Sequence, residues 1–155
     1  MPRRCKGAIL LNANAQAYNQ YQKTSIETVA KDKLLIMLYD GAIKNINTAK
    51  KAINEKDINL AHQKIIKTED ILVELMSTLN MDYEVSLGLF ALYEYLIHQL
   101  AQANYKKDIS LLEEVEEFLV DLRKTWAEAI KSVKSAPADV AAVVEAPIRT
   151  INVKG

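Results

Sequence analysis

Apolar residues recur at helical intervals through most of this chain. Leu35, Leu38, Ala42, Ile46, Ala49 and Ile53 follow one another at steps of three and four, which is one face of an α-helix predicted from about Asp32 to Asn54. A second helix follows "EKDINLA", with Asp57 as its N-cap. It reaches about Leu79 along the face Ala61, Ile65, Thr68, Leu72, Leu75, Leu79. A third covers about Val85 to Tyr105. Asp108 caps a fourth, which runs to about Lys134 and has the cleanest beat: Leu112, Val115, Leu119, Leu122, Trp126, Ala129, Val133. A 3.5-residue beat with short connections predicts antiparallel neighbours in a left-handed bundle. No internal repeat is visible.

"YDGAIK" (39–44) carries an Asp-Gly pair, which ordinarily signals a turn. The helical beat passes straight through it, so the turn is rejected although glycine costs a helix about 1 kcal/mol relative to alanine. Gly41 is assigned to a close packing contact within the helix. Asp40 lies at its edge, within reach of a neighbouring element.

The ends differ from the middle. Residues 1–31 form an N-terminal extension whose part "NANAQAYNQYQKTSIETVA" is polar with isolated aromatics, predicting a short capping helix and linker. Residues 32–134 are the bundle. Residues 135–155, with two prolines and many small side chains, read as a disordered tail, with strand addition or docking on a groove as the alternative. The expected fold is therefore all-α: an antiparallel four-helix bundle with a short N-terminal cap and a flexible tail.

The third helix holds more apolar surface than such a bundle can use. Across residues 85–105, fourteen of 21 side chains are apolar or aromatic, and Glu94 alone is charged. Leu89, Leu92, Leu96, Leu100 and Ala103 suffice to face the core. Phe90, Tyr93, Ile97 and Ala101, with Tyr95 beside them, are left over. A helix apolar nearly all round is normally surrounded, and no helix of a four-helix bundle is. Either the N-terminal segment folds over this surplus, or the surplus is a groove for a partner's amphipathic segment. The two readings agree if the cover can be displaced.

Composition narrows the possibilities. Of 155 residues, 50% are hydrophobic, and 20 basic residues balance 20 acidic ones. That zero net charge argues against a nucleic-acid partner, which usually demands a basic face. Cys5 is the only cysteine, so no internal disulfide is possible and a reducing compartment is expected. The apolar run 7–11 is too short for a signal peptide, and nothing approaches the roughly 20 residues of a membrane span. These features predict a cytoplasmic protein with no direct membrane insertion.

Little catalytic chemistry is legible. There is no phosphate loop and no partnered nucleophile. A di-iron bundle needs repeated Glu-x-x-His motifs, whereas Glu94 and His98 are four apart without a counterpart, so no metal or other cofactor is expected. His62 in "LAHQKIIK" offers one alternative, a histidine phosphotransfer module. Such a module wants a small residue one turn on, and Ile66 stands there. Glu113, Glu114, Glu116 and Glu117 read as a solvated surface near a helix N-terminus.

Four blocks carry a resemblance: "AYNQYQ" (17–22), "MLYDGAIK" (37–44), "ALYEYLIHQLAQANYKKD" (91–108) and "EEVEEFLVDLRKTWAEAI" (113–130). In that order and spacing, over about residues 17–133, the chain resembles the flagellar secretion chaperone FliS family. The resemblance implies a non-enzymatic helical bundle that binds the C-terminal segment of flagellin and keeps it from polymerising in the cytoplasm. It also implies delivery to the cytosolic domain of the export gate protein FlhA. Tyr18 and Tyr21 match the N-terminal motif linked to cap placement and gate docking. Leu38, Tyr39, Asp40 and Gly41 match a structural signature in the first helix, and Trp126 matches the fourth. The expected flagellin groove is Phe90, Tyr93, Tyr95, Leu96, Ile97 and Leu100. Where the family commonly begins its first long helix with Ser-Pro, this chain has Ala30-Lys31, leaving Thr28 or Asp32 as caps. His98-Gln99 stands where a basic pair often follows. A self-associating bundle, with the surplus face pairing as a weak homodimer, is a further alternative.

Overall fold

The structure, a computed structural model, describes residues 2–135. The expected tail lies outside the described residues. Four helices follow in order: α1 Pro2–Asn54, α2 Ile58–Ser77, α3 Glu84–Lys106 and α4 Ile109–Ser135. The described residues divide into two units, parted between Leu34 and Leu35.

The first unit is the N-terminal part of α1, and the break expected before Asp32 does not form. No proline or glycine stands between Gly7 and Gly41, so nothing ends a helix there. Without the Ser-Pro, Thr28 caps nothing; its hydroxyl donates back to the Thr24 carbonyl at 2.9 Å. Within this unit Tyr18 and Tyr21 are exposed, and Gln22 donates to the Tyr18 hydroxyl at 2.9 Å.

In the second unit, α2 and α4 begin at the residues the sequence marked. Asp57 accepts from the Leu60 backbone N–H at 3.1 Å, and Asp108 from that of Ser110 at 2.8 Å. Each satisfies a donor that the first helical turn would leave orphaned. The Ser110 hydroxyl also bonds Asp108 and is the main reason its carboxyl titrates below the usual range. Lys56 and Lys107 take positive φ, 62° and 51°, where the chain reverses.

The connections are three residues (55–57), six (78–83) and two (107–108), giving up-down-up-down helices. Ion pairs fix the register of α1 against α4. Asp40 meets Arg123 through two oxygens, and ten residues further along α1, Lys50 meets Glu116. As one number rises the other falls, so the two helices are antiparallel. Asp40 thus bonds a neighbouring element from the helix edge.

The core is built from α1 Tyr39, Ala42, Ile46 and Ala49, α2 Ile65, Leu72 and Leu75, α3 Tyr93, Leu96 and Leu100, and α4 Leu112, Val115 and Leu119. The face expected of α2 is buried from Ala61 to Leu75, and Leu79 packs at its end. Leu38 and Trp126 pack against the core without being closed off. Helix α1 continues through Asp40-Gly41, but Gly41 is not a close backbone approach. A Cβ placed there would meet only Ile71 Cδ1, at an ordinary 3.6 Å. The small residues that α1 buries are Ala42, Ala49 and Ala52.

Candidate binding groove

Helix α3 buries Ser86, Tyr93, Leu96, Leu100 and Ala103, a stripe that shares its last three members with the expected one. Leu89 and Leu92 are half-buried at its margin. Tyr93 takes the central place because its hydroxyl finds a partner: it hydrogen-bonds the Tyr39 hydroxyl, from 54 residues earlier, in the closed core. Burial above all pushes the ionisation of both phenols upward. Paired this way, two buried hydroxyls avoid the penalty of orphaned polar groups. Ser86 Oγ has no partner in its buried position.

Two apolar sides flank that stripe. Toward α2, Phe90, Ile97 and Ala101 face Val73 and Met76 across an open groove of about 740 Å³, with Ser77, Glu94 and His98 on its lips. Val73 and Met76 each follow a core position, Leu72 and Leu75, so they stand just off the buried stripe of α2. Glu69 and Asp70 lie four and three residues before Val73, on the same side of the helix. Partial burial, then the neighbouring Asp70 charge, raises the Glu69 carboxyl above its usual range. This groove is an apolar trough with an acidic margin.

Toward α4 a polar contact ties the two helices while the aromatic side chains stay exposed, Tyr95 at 43% and Phe118 at 38%. Tyr95 meets Phe118 edge to face, with centroids 6.2 Å apart and planes at 77°. Its hydroxyl donates to Glu114, and Gln99 Nε2 donates to the same carboxylate at 3.1 Å. That bond to Glu114 is the first cause of a raised Tyr95 pKa.

Of the six side chains expected to line a groove, Phe90 and Ile97 do so. Tyr93, Leu96 and Leu100 are core residues and Tyr95 belongs to the α4 side, so these four do not wall the groove. The sequence reading missed the opposite wall. Val73 and Met76 form an off-phase apolar pair on α2 that the same periodicity test would have revealed.

His62 is exposed on α2, where the Asn104 side-chain amide donates to its Nδ1 at 2.9 Å. Lys107 holds that amide's oxygen at 2.6 Å. Ile66 stands partly exposed one turn on. Among the described residues, no three His, Cys, Asp or Glu side chains gather to hold a metal, and no helix is long and apolar enough to cross a membrane.

Comparison with known proteins decides the family. A family model described as "Flagellar protein FliS" matches residues 14–133. The chain belongs to the FliS family. It is 39% identical over 115 residues to the flagellar secretion chaperone FliS of Bacillus subtilis (strain 168), covering 74% of this chain and 86% of that protein. The flagellar secretion chaperone FliS of Vibrio cholerae is 28% identical over 119 residues, covering 75% and 88%. That of Escherichia coli (strain K12) is 27% identical over 122 residues, covering 76% and 89%. The FliS match begins inside α1 and ends just before the close of α4, so it spans the groove and the core.

Proposed function

We propose that this FliS-family chain is a cytoplasmic export chaperone for flagellin, acting by non-covalent masking rather than catalysis. It binds the disordered C-terminal segment of flagellin, prevents premature polymerisation, and presents the client to the cytosolic domain of the export gate protein FlhA. The observation that carries this reading is the open α2/α3 groove walled by Val73, Met76, Phe90, Ile97 and Ala101. An amphipathic client helix would seat its apolar face there. A client that orders only on binding covers a large surface while staying releasable, because ordering offsets part of the contact energy. The exposed Tyr18 and Tyr21 are the proposed gate-docking residues.

Titration with a peptide spanning the C-terminal region of the cognate flagellin tests the reading. Ile97→Asp should weaken binding about 10- to 100-fold, the loss expected for one well-buried aliphatic contact. Tyr95→Asp, on the α4 side, should leave affinity nearly unchanged. Absence of binding at micromolar concentration, or indifference to both Phe90→Asp and Ile97→Asp, would refute masking through this groove. For the gate, a Tyr18→Ala/Tyr21→Ala chain should lose capture of the FlhA cytosolic domain while still binding the peptide.

A further inference from the structure

We propose that residues 147–153 of this same chain, the "PIRTINV" that follows α4, occupy the α2/α3 groove when no client is present. The competition with flagellin rests on the function proposed above; the occupancy does not.

Chemical fit is the first argument. The groove presents Phe90, Ile97, Val73 and Met76, and its lining includes Glu94 but no Lys or Arg among the described residues. Glu69 and Asp70 add to the acidic margin. The segment offers the aliphatic side chains Ile148, Ile151 and Val153 and the cation Arg149, Lys154 follows it, and 147–155 contains no acidic residue. The FliS match ends at residue 133, so the segment lies outside the stretch this chain shares with that family.

Reach is the second argument. Asp40 pairs with Arg123 while its neighbour Tyr39 bonds Tyr93, so Arg123 and Tyr93 stand at one level of the bundle. From Arg123, α4 rises twelve residues to Ser135, about 18 Å toward the end where α2 finishes and α3 begins. The mouth of the groove, Ser77 and Phe90, opens at that end. Eleven residues, 136–146, can span up to about 36 Å, enough to descend and cross one interhelical spacing of about 10 Å. The groove itself runs from Phe90 to Ala101, about 16 Å of helix, which seven extended residues can cover.

Tethering makes weak contacts sufficient. A short linker gives an effective concentration of about 1 mM, so an intrinsic dissociation constant of about 0.1 mM would fill the groove roughly nine-tenths of the time. A client would then bind about tenfold more weakly than to the open groove.

The test compares the full chain with its Ile148→Asp/Ile151→Asp variant, whose substitutions lie outside the described residues. Methyl NMR should show Met76 and Ile97 shifting between the two chains, with Ile46 in the core unchanged, at any protein concentration. The variant should also bind the flagellin peptide about tenfold more tightly. Coincident Met76 and Ile97 signals would overturn the proposal, as would shifts confined to residues remote from the groove. Shifts that vanish on dilution would overturn it too, since the occupant would then come from a second copy. If the methyl differences appear but no flagellin peptide binds either chain, the occupancy stands and the client reading fails. If the peptide binds both chains equally and the methyls coincide, the reverse holds.

Discussion

The two flanks of α3 begin from similar material and end differently. On the α4 side, Tyr95 and Phe118 touch edge to face although both rings remain exposed, and one carboxylate, Glu114, accepts from both Tyr95 and Gln99. On the α2 side, Phe90 and Ile97 face Val73 and Met76 across open space, and the lip residues Glu94 and His98 do not bridge it. What separates them is a polar group able to tie the seam. A rim aromatic with a hydroxyl can be stitched to an acid on the next helix, whereas a phenylalanine and an isoleucine can only wait for apolar cover. Apolar content alone does not make a binding site.

The comparison can be broken most violently from the middle. Leu96 is fully buried between the two flanks, so Leu96→Ala should lower the unfolding free energy by about 2–5 kcal/mol. Denaturant titration would measure it, and a loss below 1 kcal/mol would mean that α3 is not anchored as described. Phe90→Ala, on the half-exposed groove wall, should cost clearly less in the same assay.

Next in size is the hydroxyl pair beneath both flanks. Tyr39→Phe leaves the Tyr93 hydroxyl buried without its partner and should cost about 1–3 kcal/mol. Adding Tyr93→Phe should recover most of that loss, because two apolar rings no longer need one another. A strictly additive double variant would show the pair to be uncoupled. Both phenols have folded pKa values raised above 10.0, so the stability they confer is full below pH 10 and falls as pH climbs beyond it. Alkaline unfolding should therefore begin later in the double phenylalanine variant.

Smaller effects sharpen the contrast. Glu114→Gln should loosen the α4 flank and bring the Tyr95 titration, followed by NMR, back down toward 10.0. An unmoved midpoint would show that the latch does not operate in solution. On the open flank, the raised Glu69 pKa means that its ionised form is disfavoured by folding. That penalty is present at neutral pH and disappears below the ordinary value of 4.5, where both states are protonated. Glu69→Gln should accordingly raise the melting temperature slightly at pH 7 and give no advantage at pH 3.

Much of the fold was legible because it is local. Asp57 and Asp108 begin their helices where a side-chain oxygen can take a free N–H, and α2 and α4 keep one phase throughout. The start of α1 was not. A polar, aromatic-dotted stretch looks like a linker, but helix ends are made by breakers and caps, and between Gly7 and Gly41 there are none that act. The site was half legible. Surplus on α3 was visible, yet two stripes passing through Leu96, Leu100 and Ala103 are nearly degenerate in periodicity. Whether Tyr93 or Leu92 goes inward depends on a hydroxyl partner supplied by Tyr39, which no local window contains. Gly41 illustrates the opposite error: a small residue invites a close-contact reading, while α1 buries its alanines and leaves Gly41 ordinary room.

One feature of the connections sets how this bundle can breathe. At one end, turns of three and two residues, each pinned by a left-handed lysine, hold the helix pairs together like rivets. At the other, six residues join α2 to α3, beside the mouth of the groove. Any opening between α2 and α3 is therefore least restrained at the slack end and most restrained at the riveted one.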